Sequence, residues 1–254
     1  MSDVSAAIGV DGSPARELGN KLALASDPCL APCATTSTAG VIRHVADMAD
    51  LVCVFEPEVQ IVCLRREPDL VVQRTLDDLA RAGTLGSGFR VTLSAGAPLG
   101  ADALSGLPDH DALQSDIALL LEVYADLLGC PAMGLRFEVL ERAMCPRFHT
   151  DRVGIRLLCT YRGPATEWLD DAWADRSKLG GGGGRLPGEA SGLMRDPARV
   201  GRAQPFDLVL LKGCAWPGNE LRGAIHRSPA VPTEVMPRVL VAIDALWTET
   251  GGKV

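Results

Sequence analysis

The sequence predicts an α+β protein, with helices of the N-terminal half packed against an antiparallel β-sandwich or barrel in the C-terminal half. Three observations lead there. Residues 111–128 repeat apolar side chains at helical spacing. After Gly129 the apolar period changes to two, the period of a strand with one buried face. Short strand-like runs then recur between Gly and Pro turns, as in antiparallel sandwiches and barrels.

Taken in order, residues 1–38 are rich in Ala, Ser, Pro, Gly and Thr without a sustained period and read as a disordered arm. Residues 39–250 read as a single α+β domain. Leu51–Phe55 and Ile61–Leu64 are either two strands or a helix and a strand. Asp69 is placed to cap a helix that carries Leu70, Val71, Leu76, Leu79 and Ala80 on one side and stops at Gly83. A glycine- and proline-rich stretch follows, with one strand at Phe89–Leu93. The helix over 111–128 presents Leu113, Ile117, Leu120, Leu121 and Tyr124 on one stripe, and Gly129 ends it.

The β core is expected at about 131–247. Leu135, Phe137 and Val139 alternate with Arg136 and Glu138, and Val153, Ile155, Leu157, Cys159 and Tyr161 form a second alternating set. Further strands are expected at 166–169, 206–212, 222–227 and 238–246. Residues 175–204 read as a flexible insertion. Its run Gly180–Gly184 lacks the Gly-Lys-Ser/Thr ending and the preceding strand of a phosphate-binding loop.

Composition narrows the function classes. The net charge of −7 and pI near 5.1 oppose a role built on binding phosphate backbones, and no lysine- or arginine-rich block reverses this locally. The longest apolar runs, such as Ile117–Leu121 and Val239–Ile243, fall far short of the roughly 20 residues that span a bilayer. No basic segment followed by an apolar stretch marks a secretory signal. The eight cysteines form no C-x-x-C pair and several lie in apolar runs, which fits reduced thiols in a cytoplasmic protein.

The chemistry concentrates in two stretches. In extended backbone, residues two apart share a face, so His149 and Asp151 can grip one ion together. Both also share parity with Val153, Ile155 and Leu157, which places them on the inward face of that strand, where an unpaired acid and imidazole are costly. His226 ends a short strand later in the chain. Two histidines and a carboxylate in this order form the facial triad of non-haem Fe(II) sites, which leaves open positions on the metal. Cys145, four residues before His149, and Cys214 are alternative candidates: a thiolate from either would close the site into a structural zinc centre. His44 and His110 receive no role.

The stretches Cys145–Leu169 and Lys212–Pro229 resemble an uncharacterised bacterial domain-of-unknown-function family over about residues 40–250. Some members of that family lie near zinc-homeostasis genes, which implies one alternative, a non-catalytic zinc-binding protein linked to metal homeostasis. More distantly, the layout resembles Fe(II)/2-oxoglutarate oxygenases. In these the His-x-Asp strand ends in Tyr, matched by Tyr161, and a Thr-containing strand follows, matched by Gly163–Trp168. Phe206–Leu211 matches the strand before the distal histidine, and Arg238 the arginine about a dozen residues beyond it.

That resemblance implies a double-stranded β-helix of the cupin or jelly-roll kind, Fe(II) and 2-oxoglutarate as cofactors, and a carboxylate-binding role for Arg238. Strand parity assigns the role to Arg238 and not to Arg227, and turns Arg156 away from His149. The substrate is a small molecule or a protein that the sequence does not name. In a metal-free reading, Trp168, Trp173 and Trp216 would line a binding surface.

Overall fold

Two helices form where caps and apolar spacing place them. In the first, α1 (Leu70–Ala82), the Asp69 carboxylate accepts the N–H groups of Val71 and Val72 at 2.7 and 3.1 Å, and Gly83 closes the last turn at φ 69°. The second, α2 (Asp111–Leu128), buries Leu113, Ile117, Leu120, Leu121 and Tyr124. Met48–Phe55 is a 3-10 helix burying Leu51 and Val54, so the first of the two early apolar runs is helical. The structure, a computed structural model, describes residues 41–97, 111–179 and 191–247, all in the unit Thr38–Val254. The arm read at 1–38, His110 and Gly180–Gly184 lie outside the described residues.

The strands are β1 (Val41–Val45), β2 (Val59–Leu64), β3 (Gly88–Ser94), β4 (Ala132–Leu140), β5 (Ile155–Arg162), β6 (Glu167–Leu169), β7 (Val200–Arg202), β8 (Leu208–Lys212), β9 (Ile225–Arg227) and β10 (Arg238–Leu246). A seven-stranded sheet has the order β1-β2-β8-β5-β10-β4-β3, and a three-stranded sheet the order β7-β6-β9. His149 adds an isolated bridge to His226 at the edge of the small sheet. From β4 onward the chain crosses repeatedly between the sheets: β4, β5, β8 and β10 lie in one, and His149, β6, β7 and β9 in the other. That alternation is a double-stranded β-helix. No helix among the described residues is long and apolar enough to cross a membrane.

The sheet is wider than the sequence suggests. Beyond the expected core at 131–247, β1, β2 and β3 of the N-terminal half extend it at both edges. The described parts of 175–204 carry regular structure: a 3-10 turn at Arg176–Lys178, a bridge from Ala174 to Met194, and β7 paired with β6.

Two apolar layers flank the large sheet. Ile155, Leu157, Cys159 and Tyr161 of β5, with Val239, Val241 and Ile243 of β10, pack towards α1 and α2. Leu158 of β5 and Leu240 and Ala242 of β10 face Trp168 of the small sheet. The space between the sheets is therefore lined by the even-numbered residues of β5 and β10, which continue to Arg156, Thr160, Arg238 and Asp244.

Candidate metal centre

The backbones of His149 and His226 clasp each other. Each N–H donates to the other's carbonyl at 3.0 Å, and the imidazole rings lie 4.5 Å apart between centroids. Asp151 is held from the far side by residues 213–215, where its carbonyl accepts Cys214 N–H at 2.9 Å. Only glycine allows this packing at 213, because a Cβ there would sit 2.3 Å from the Val153 carbonyl oxygen and 2.8 Å from that of Asp151. The Lys212–Pro229 stretch thus supplies both His226 and the seat for Asp151.

Donor atoms of His149, Asp151 and His226 all lie within 4.8 Å of one another. Nε2 of His149 is 3.2 Å from Oδ1 of Asp151, and Nε2 of His226 is 3.4 Å from Oδ2. Donors at right angles on an ion bound at roughly 2.0–2.2 Å are about 3 Å apart, so these spacings fit one shared cation.

The hydrogen bonding supports the same fit. Nδ1 of His149 meets the Arg147 carbonyl at 2.9 Å, and Nδ1 of His226 meets the Ala224 carbonyl at 3.1 Å. A carbonyl only accepts, so both Nδ1 atoms carry the proton and a neutral ring turns its Nε2 lone pair towards Asp151. Two lone pairs and a carboxylate then converge with no proton between them, an arrangement a cation relieves. Burial alone would raise the Asp151 carboxyl. When no cation takes that place and the rings carry a proton on Nε2 as well, their hydrogen bonds to Asp151, with the nearby Arg156, instead hold it well below the usual carboxylate range. The Asp151 carboxylate raises the His149 imidazole, against the opposing effect of burial.

Neither thiol joins this group. Cys145 is exposed at the mouth of the cavity, and Cys214 Sγ is 3.2 Å from the Asp151 carbonyl oxygen. The inward parity read for His149 and Asp151 requires correction. Residues 150–154 are irregular, so register is lost before β5, and the triad faces the side of Arg156 and Leu158, opposite to Ile155 and Leu157. For the same reason Arg156, expected to turn away, donates to Oδ2 of Asp151.

One cavity of about 200 Å³ joins the triad to Arg238, with Leu158, Leu240 and Ala242 along its wall. Larger grooves elsewhere, including one of about 680 Å³ beside Leu121 and Met133, have no metal-competent cluster among the described residues. Arg238 is 1% exposed. Its Nη1 donates to Ser228 Oγ at 2.9 Å, and Nη2 to Thr160 Oγ1 and Thr166 Oγ1 at 3.1 and 3.4 Å. Its Nε has no partner, and no ion pair reaches the guanidinium among the described residues. Burial pushes this arginine down to about 10, which leaves it charged at neutral pH. Arg227 is committed elsewhere, to Glu167 Oε2 at 2.7 Å and the Phe148 ring at 4.3 Å.

Ser228 and Thr160 were not singled out from sequence, and Thr166 only as the threonine of the matched Gly163–Trp168 strand, although all three lie in the two stretches that carry the resemblance. Arg136, Arg156 and Asp244 gave no sequence signal beyond charged residues at strand positions.

Strand order and donor set together define a double-stranded β-helix protein with a two-histidine, one-carboxylate cluster that can hold a metal ion. The chain belongs to the family described as protein of unknown function (DUF1826), whose model matches residues 45–244. Among solved structures it is similar to the dioxygenase for auxin oxidation in rice, at 17% identity over 82% of this chain and 83% of that one, with a TM-score of 0.42. The 2-oxoglutarate complex of Arabidopsis thaliana dioxygenase for auxin oxidation 1 is 12% identical over 84% and 94%, with a TM-score of 0.42. A Pseudomonas putida prolyl-4-hydroxylase is 12% identical over 79% and 99%, with a TM-score of 0.40. The comparison with curated proteins found no match.

Proposed function

We propose that this protein is an Fe(II)- and 2-oxoglutarate-dependent oxygenase in which His149, Asp151 and His226 hold the metal. One observation carries the cosubstrate: Arg238 is a buried, charged arginine without a carboxylate partner, in the same cavity as the triad. A buried cation without a counter-charge is costly, and an anionic ligand offsets that cost. The guanidinium fork suits a carboxylate, and its unpartnered Nε is a free donor. The hydroxyls of Ser228, Thr160 and Thr166 accept from Arg238 and so keep their own protons to donate to the same anion.

The remaining roles follow from chemistry. The two imidazoles are fixed in the Nε2-ligating tautomer by backbone carbonyls, and Asp151 supplies the negative charge. When bound, the iron supplies the oxygen chemistry that no side chain of this site can perform. Leu158, Leu240 and Ala242 give the cavity a dry wall, which strengthens the charge pairing at Arg238. A zinc-binding reading uses the same three residues. Its closed, structural form needs a fourth ligand that neither Cys145 nor Cys214 brings to the cluster.

The test is optical. Adding 2-oxoglutarate to the anaerobic Fe(II) protein should produce a metal-to-ligand charge-transfer band. The ligand concentration at half-effect should rise at least tenfold in Arg238→Ala and stay near wild type in Arg227→Ala. No band with wild type at millimolar ligand rejects the oxygenase and leaves metal binding alone.

A further inference from the structure

Behind Asp151 stands a line of charges that the proposed reaction does not itself use. β5 and β10 pair so that Asp244 lies directly opposite Arg156. Arg156 Nε and Nη2 donate to Oδ1 and Oδ2 of Asp244 at 2.7 and 2.9 Å, two parallel bonds that fix the plane of the guanidinium. Arg136 adds a third donor to Asp244 at 3.2 Å. With its plane fixed, Arg156 has one arm left, and Nη1 of that arm donates to Oδ2 of Asp151. Oδ1, 3.2 Å from His149 Nε2, is the oxygen without an arginine.

We infer that Arg156 is the positioning residue of this centre: locked by Asp244, it engages one oxygen of Asp151 and keeps that carboxylate a one-oxygen ligand. The inference rests on the triad being a metal centre. Its consequence is a count of positions. Two imidazoles and one carboxylate oxygen leave three sites open on a six-coordinate ion, whereas a carboxylate binding through both oxygens leaves two. A chelating keto acid takes two, so only the first arrangement keeps a place for a further ligand. Asp244 has no hydrogen bond or ion pair with His149, Asp151 or His226, and of its two arginine partners only Arg156 also reaches Asp151, so the contact route from Asp244 to the triad runs through Arg156.

Co(II) binding to the full chain, followed through its d–d absorption in competition with a chelator, tests this without turnover. Arg156→Met and Asp244→Asn should each weaken Co(II) binding about 10–100-fold. The double variant should be no weaker than Arg156→Met alone, because both changes break one chain of contacts. Arg156→Lys keeps the charge but cannot hold Asp244 and Asp151 with one rigid fork, so it should also bind at least tenfold more weakly. The d–d band should change shape in all of these as the carboxylate is released. Asp244→Asn preserves shape and volume, so a cooperative melt near that of wild type separates lost positioning from lost folding. Wild-type affinity and band shape in Asp244→Asn or Arg156→Lys overturns the role of Arg156 and leaves the metal centre standing. A wild-type protein that binds no Co(II) removes the centre, and this role with it.

Discussion

Lys212 is 2% exposed, and its ammonium donates to the Glu56 carbonyl oxygen at 2.8 Å, at the C-terminal end of the 3-10 helix. Burial pushes this lysine down from 10.5 to about 8; Arg222 acts in the same direction, while Glu58, Cys53 and Glu56 oppose it. Below about pH 8 the group is charged in both folded and unfolded chains, and folding carries the whole cost of burying that charge. Between about 8 and 10.5 the unfolded chain holds more protons, so stability rises with pH, by up to about 3 kcal/mol. Urea midpoints should climb across this window in wild type and climb less in Lys212→Met; equal slopes would dismiss Lys212 as the cause. At this scale the site was unevenly legible. Arg238 could be placed because it begins an unbroken strand whose parity holds through Leu240 and Ala242. Arg156 could not be placed relative to Asp151, because the irregular residues 150–154 intervene.

Elements were legible where two independent signals agreed. For α1 an apolar stripe lies between an Asp cap and a left-handed glycine, and for α2 a long stripe ends at Gly129. The cap of α1 can be tested alone. Asp69→Ala removes the acceptor for two N–H groups and should cost about 1 kcal/mol, or about 2–4 °C in Tm. Co(II) affinity should not change, since α1 packs on the opposite face of the sheet from the triad. An unchanged Tm would mean that water replaces the cap without loss. Elements resting on a single weak signal were harder to read. β1 is a five-residue edge strand with Arg43 and His44 exposed, and β7 has three residues, too few to display a period, inside a stretch read as a flexible insertion; the equally short β6 and β9 fall within the strands expected at 166–169 and 222–227. Leu51 and Val54 are buried three apart, a helical spacing, but the continuous apolar run Leu51–Phe55 is short enough to fit a strand buried on both faces as well.

For the whole molecule, the sequence indicated a β-helix core but not its width. Ile61–Leu64 was legible as a strand, but β2 enters the large sheet beside β8 through residues buried on both faces, and a run without alternation does not say which sheet it joins. The architecture also sets what metal removal should do. All three proposed ligands sit on backbone held by sheet or loop hydrogen bonds, and none of those bonds requires an ion. Chelation should therefore lower Tm only by the linkage term, about 3–4 kcal/mol of stabilisation when free metal stands at 100–1,000 times Kd, and leave the far-ultraviolet circular dichroism unchanged. Unfolding on chelation would instead mark a structural metal, as in zinc fingers.

The clasp between His149 and His226 has a consequence of its own. Two N–H groups that close on each other's carbonyls open only together, so they report a single event. In deuterium oxide these two amides should exchange slowly and at matching rates in the metal-free protein, ahead of any ligand. The two imidazoles would then already be side by side before an ion arrives, and the entropy of bringing together segments 77 residues apart (149 to 226) would belong to folding rather than to metal capture.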